Sequence, residues 1–212
     1  PKADPETEIL FTQNTAYSID MTDHGSAAAS SLMNALRATY DASIAVGYSP
    51  LVSTSIYCGD YSKQQLLWVM AGNYAVSQGE YTGAELRQMM EWLVNVKDNG
   101  ANPIRHRNYM PVTSGMEYKV TEYEQGKFRL EELTINGAPL DDTATYTVFV
   151  AGTDVWIENE AYCNCPMPEN LKTKRTEYAI EGAESRSCLK DSLAVSRQFP
   201  APSEYLTIVQ GE

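Results

Sequence analysis

The sequence contains two histidines in 212 residues, His24 and His106. A binuclear metal centre takes several imidazole ligands, and this chain cannot supply them. Positive charge is also scarce: 16 Lys+Arg face 28 Asp+Glu, giving a formal charge of -12 and a pI near 4.6. Such an acidic balance repels phosphate backbones and anionic headgroups, which argues against nucleic-acid polymers and membrane surfaces as partners. No run approaches the roughly 18 apolar residues of a membrane span, and the start has no charged-then-apolar leader pattern. Glycine-rich dinucleotide or phosphate loops are absent, as is a Gly-x-Ser-x-Gly elbow. Cysteine is limited to Cys58, Cys163, Cys165 and Cys188. Cys163-Asn164-Cys165 is too tight for a zinc knuckle. Structural disulfides, inert thiols and one bridge with two free thiols remain open, with redox use a further alternative.

What is present is ordinary globular composition, 43% hydrophobic and 21% charged. Pro1-Lys2-Ala3-Asp4-Pro5 reads as a linker or trimmed boundary, and residues 1–22 are set apart as such a segment, with one strand near 9–12. A helical stripe of Ala28, Leu32, Ala35 and Leu36 predicts a helix over 23–40 with Asp23 as N-cap. Strands are expected at 42–46 and 53–57, then a Gly59-Asp60 turn and a short helix capped by Ser62. Residues 74–81 read as extended. Thr82-Gly83-Ala84-Glu85 is a capping box opening an amphipathic helix with Leu86, Met89, Met90, Leu93 and Val94. From Val112 the pattern is β, over 116–122, 128–135 and 146–151, with a hairpin-type turn at Asn136-Gly137. Residues 155–184 read as a cysteine-bearing loop, and a last helix covers 187–198 before Pro200 and Pro202. The economical fold class is α+β, one domain over 23–212 with a mixed β-sheet and flanking helices.

No catalytic constellation emerges from these residues. His24 sits at a predicted helix start with no nucleophile placed beside it. Asp141-Asp142 and Glu131-Glu132 read as turn and surface carboxylates rather than an acid/base pair. Arg105-His106-Arg107 forms a local basic cluster, a candidate anion contact or a solvated loop. Trp68, Trp92 and Trp156 read as core or interface aromatics, with Trp156 the best placed to face a ligand.

The order of motifs carries more than any one of them. A helix, a short strand, Ser55-Ile56-Tyr57-Cys58-Gly59-Asp60, a short helix, Gly72-Asn73 and Tyr81-Thr82-Gly83-Ala84-Glu85-Leu86 succeed one another. Pro111-Val112-Thr113-Ser114-Gly115 comes next, then Leu133-Thr134-Ile135-Asn136-Gly137-Ala138-Pro139-Leu140 and Thr145-Tyr146-Thr147-Val148. This succession resembles the C-terminal domain of the 5'-nucleotidases over about residues 24–205. The resemblance implies the nucleotide-recognition part of a secreted, periplasmic or cell-surface hydrolase. It implies two divalent metals in an N-terminal metallophosphoesterase domain, the expected partner of this chain, and no cofactor or catalytic residue in the chain itself. The ligand it implies is a small nucleotide or other phosphate ester.

By the same resemblance the candidate ligand-binding residues are Ser53, Gly72, Asn73, Asn108, Thr153, Asp154 and Trp156. The sequence departs from the family pattern at several of them. Ser53 stands where the family has a turn arginine, Ala71 where it has one base-stacking phenylalanine, and Thr153 near the second. Losing both rings removes roughly 1–3 kcal/mol of stacking per face, by analogy with single-strand binders. Tyr48, Tyr74 or Trp156 could supply a ring from a neighbouring position. Two functions follow: a recognition domain of altered specificity, or a non-catalytic interaction module that kept the fold and lost nucleoside recognition.

Overall fold

In a computed structural model, residues 7–48, 52–70, 72–95, 110–152 and 167–211 are described. The chain runs β1 (Ile9–Gln13), α1 (Ala27–Thr39), β2 (Ile44–Tyr48), β3 (Gly59–Ser62), α2 (Lys63–Val69), β4 (Ala75–Thr82) and α3 (Gly83–Asn95). It continues through β5 (Pro111–Ser114), β6 (Glu117–Glu124), β7 (Lys127–Ile135), β8 (Ala138–Pro139) and β9 (Thr145–Ala151). The last elements are α4 (Glu169–Glu177), β10 (Ala179–Glu184), α5 (Ser185–Ser196) and β11 (Leu206–Gln210). Helices and mixed sheets enclose one core, so the α+β reading holds.

The central sheet has the order β10-β4-β9-β2-β5. β2 and β9 are parallel, while β4 and β10 on one side and β5 on the other are antiparallel to their neighbours. The helical stripe of α1 explains its place: Ala28, Leu32, Ala35 and Leu36 are buried where α1 meets β2, β5 and α5. Removing each large apolar side chain from water contributes about 1.5–3 kcal/mol. A second sheet, β11-β6-β7-β8, is joined to the first through α3, which contacts β4, β5 and β7. Asn136 and Gly137 both have positive φ, 53° and 76°, and Ile135 pairs with Ala138 across them. The two-residue hairpin turn that Asn-Gly announces is therefore formed.

Several expectations need correction. The first helix is capped by Ser26, whose hydroxyl accepts from the Ala29 amide at 3.3 Å, and not by Asp23. Residues 22–25 instead close on themselves, with Thr22 and Gly25 exchanging both backbone hydrogen bonds at 3.1 Å. No strand forms at 53–57. The strand lies at Gly59–Ser62, where a turn was expected, because β1 draws it into an antiparallel pair. Phe11 of β1 stacks on Tyr61 at 5.4 Å, and both rings meet Phe199 edge-on. The stretch read as a loop to residue 184 contains α4 and β10, and β11 runs parallel to β6 after the final prolines. Among the described residues no helix is long and apolar enough to cross a membrane.

Candidate functional site

The register of the central sheet brings one set of strand ends together. β9 ends at Ala151 opposite Val76, near the start of β4; Val46, near the end of β2, pairs with Val150. β5 starts at Pro111 opposite Tyr48, and β10 ends at Glu184 opposite Ala75. The loops after the parallel pair β2 and β9 thus leave from the same end of the sheet at which β4 begins. In open α/β sheets, crevices outside the carboxyl ends of parallel strands are where ligands bind.

Ser53, Gly72 and Asn73 belong to this end. Val52 bridges Met70, the Ser53 amide donates to the Val69 carbonyl at 2.8 Å, and the Ser53 hydroxyl donates to the Trp68 carbonyl. Gly72 is required by close approach: a Cβ there would lie 2.5 Å from Tyr74 Cζ, so the Tyr74 ring folds over the turn. The Asn73 side chain is committed to the start of α5. Its Nδ2 donates to the Glu184 carboxylate, and its Oδ1 accepts from the Arg186 amide at 3.2 Å. Tyr74 and Ser185 complete the clamp: the Tyr74 amide donates to Ser185 Oγ at 3.0 Å, and the Ser185 amide donates to the Tyr74 carbonyl at 2.9 Å.

Asn108, Thr153, Asp154 and Trp156 lie outside the described residues, as do Arg105, His106, Arg107, Cys163 and Cys165. The described strands flanking the first group, β5 and β9, have the relevant ends at this same end of the sheet.

Two residues at this end were not assigned to the ligand face by sequence. Trp68, on α2, is 63% exposed, although helical spacing alone suits a buried aromatic equally well. Arg186, in the first turn of α5, donates from Nη2 to the Met70 carbonyl at 3.0 Å. Its Nε is buried without an acceptor.

The other candidates take structural parts. Trp92 is buried in the core. His24 is exposed and faces Glu204 at 3.8 Å. Asp142 pairs with Arg87 at 2.8 Å, Asp141 accepts from the Thr143 amide and hydroxyl, and Glu131 and Glu132 pair with Arg129 and Lys119. Cys58 and Cys188 are free thiols, the first exposed and the second buried. Burial raises the Cys188 thiol above its ordinary value, which the Tyr40 hydroxyl, donating at 2.8 Å, only partly offsets. Among the described residues no three His, Cys, Asp or Glu side chains converge as metal ligands, so a binuclear centre does not fit them. Open grooves of about 560 Å³ beside β6, β7 and β11, and about 380 Å³ between α1 and α5, lie away from this sheet end. The charges lining the first include Lys119 and Glu132, which pair with each other.

The same arrangement of elements recurs in solved structures. The 5'-nucleotidase precursor from Thermus thermophilus aligns with a TM-score of 0.68 at 16% identity, covering 98% of this chain and 41% of that one. The NAD nucleotidase of Haemophilus influenzae aligns at 0.69 and 12% identity, covering 98% and 39%. A Thermus thermophilus sulfate thiohydrolase aligns at 0.65 and 16% identity, covering 99% and 36%. The chain therefore spans about two fifths of the length of these structures, and at such identities the likeness establishes fold. No curated protein matches the chain by sequence. Residues 9–153 match the family described as 5'-nucleotidase, C-terminal domain, and the chain belongs to that family.

Proposed function

We propose that this chain is the substrate-recognition domain of a secreted 5'-nucleotidase-type metallophosphoesterase. Its ligand is a nucleotide or related phosphate ester, bound at the β2/β9 end of the central sheet. The observation that supports this reading most is the convergence of Ser53, Gly72 and Asn73 with the strand ends that flank Asn108 and Thr153–Trp156. Trp68 and Tyr74 stand there as aromatic faces on which a base can stack. The two divalent metals of such an enzyme belong to an N-terminal domain, and this chain contributes binding and orientation rather than bond cleavage. An extracytoplasmic location goes with that assignment.

A second reading has a specific observation in its favour. The polar atoms of Ser53 and Asn73 are already engaged within the chain, which suits an interaction module that kept the fold and lost nucleoside recognition. The sulfate thiohydrolase of the same fold is consistent with a changed substrate.

Calorimetric titration with AMP, adenosine and a UDP-sugar separates the two. Saturable binding weakened by Trp68→Ala supports the recognition domain; silence with all three ligands supports the interaction module. Phosphate release from AMP by the purified chain with added divalent metal would contradict both.

A further inference from the structure

Three buried side-chain polar atoms lack a partner among the described residues: Ser77 Oγ, Tyr81 OH and Arg186 Nε. Ser77 and Tyr81 are neutral hydroxyls beneath the sheet's surface. Arg186 is different in kind. It is half-buried, its guanidinium makes one hydrogen bond, to the Met70 carbonyl, and it has no ion pair among the described residues of a chain with a formal charge of -12. Arg87 and Arg129, by contrast, each hold a carboxylate. Leaving a buried donor unsatisfied costs about 1–3 kcal/mol, more when it is charged. A native structure that tolerates this at the mouth of a sheet calls for an explanation.

The surroundings fix where the guanidinium stands. Met70, which accepts from Arg186, bridges Val52, so the group lies within one strand spacing of Ser53. The Arg186 backbone is held by Asn73 Oδ1, and the preceding residue by Tyr74. Asn73 thus acts as a positioning residue, tying the first turn of α5 to the Gly72-Asn73 turn. A planar guanidinium with a free Nε edge is the side chain best suited to grip an anionic oxygen in two-pronged fashion.

We propose that Arg186 is the anion-binding residue of this sheet end, taking a phosphate oxygen of the ligand on its unpartnered Nε edge. The inference rests on the recognition-domain reading for the nucleotide part of the ligand; the anion site itself does not. The shared chemistry is a tetrahedral phosphate oxyanion, carried by a nucleoside monophosphate or free as inorganic phosphate.

The test is calorimetry of AMP, adenosine and inorganic phosphate against the wild-type chain, Arg186→Lys and Arg186→Gln, each checked by thermal melting. The expected result is AMP affinity reduced about tenfold or more in Arg186→Gln, with adenosine affinity unchanged and Arg186→Lys in between. Phosphate binding that disappears in Arg186→Gln, with no nucleotide binding by any variant, keeps the anion site and overturns the nucleotide reading. Undiminished AMP affinity in a folded Arg186→Gln overturns the anion site and leaves the nucleotide reading standing. Absence of binding by all three ligands overturns both. Should Arg186→Gln fail to fold, Arg186→Lys decides, because it keeps the charge but lacks the Nε donor: AMP affinity equal to wild type overturns the proposal.

Discussion

At the Thr82 end of β4 every charge has an opposite. Glu85 receives hydrogen bonds from the Thr82 amide at 2.8 Å and from Lys174 Nζ at 2.6 Å, and Lys174 also donates to the Glu80 carbonyl and lies 5.3 Å from the Tyr81 ring centre. Burial alone would raise the Glu85 carboxyl, but Lys174 and Thr82 outweigh it and hold the group below its ordinary value. At the Ala75 end, 8 residues of strand away, Arg186 has one neutral partner and a buried donor with none. One end of the strand is closed by its own side chains; the other leaves a cation in want of an oxygen. Stability and ligand binding are thereby divided between the two ends of a single strand.

The largest expected effect lies at the closed end. A Cβ at Gly83 would sit 2.1 Å from the Asp141 carbonyl oxygen, a backbone atom with little room to move. Gly83→Ala should cost about 1–3 kcal/mol, toward the upper part of that range, read as a lowered midpoint in urea. Unchanged stability there would mean that this end is looser than its packing implies. Next comes Lys174→Met, which strands the Glu85 carboxylate. With both side chains about a quarter exposed or less, the loss should be about 1–2 kcal/mol, between exposed and buried pairs, and AMP affinity should not change. The sharpest contrast is Arg186→Gln, for which the lost Met70 hydrogen bond and the relieved buried charge nearly cancel. Its stability should stay within about 0.5 kcal/mol of wild type.

A smaller effect follows from pH. Burial pushes the Tyr81 hydroxyl up to about 12; the nearby Ser77 hydroxyl tempers the rise without meeting it at hydrogen-bonding geometry. Burial likewise raises Tyr40, Tyr118 and Tyr205. A folded-state value above the unfolded value of about 10 means that the unfolded chain binds fewer protons above that pH. The stabilising contribution is therefore complete below pH 10 and is lost as pH rises from 10 to 12. Urea melts at pH 9 and 11 should show the fall, and Tyr81→Phe should lessen it while leaving stability at pH 7 nearly unchanged. Smallest of all is the difference between the thiols. Native-state alkylation should modify exposed Cys58 and spare Cys188, which is buried within the first turns of α5. Equal rates would show that the turn carrying Arg186 frays and cannot hold a guanidinium in place.

Sequence disclosed much of the fold because its strongest signals are local. The Thr82–Glu85 capping box, the Ser62 cap and the Asn136-Gly137 turn each need only a few adjacent residues, and all three form. It missed β10 and β11 because their partners, β4 and β6, lie about 100 and 90 residues away, and nothing within 179–184 or 206–210 specifies that pairing. β3 was misread for the same reason: the stacking of Tyr61 on Phe11 outweighs the turn preference of Gly59-Asp60. The candidate site was legible as motifs in order, through Ser53, Gly72 and Asn73. Arg186 was not, since it reaches this end from a helix 113 residues beyond Asn73, and only the tertiary clamp reveals it.

The central claim is that ligand binds at the β2/β9 end of the sheet. Amide hydrogen exchange with and without saturating AMP tests it most directly. Slowed exchange at Ser53, Tyr74 and Arg186, with Thr82–Glu85 and α4 unchanged, is the predicted result. Unchanged exchange at those three residues, or protection confined to the Thr82 end, would contradict it.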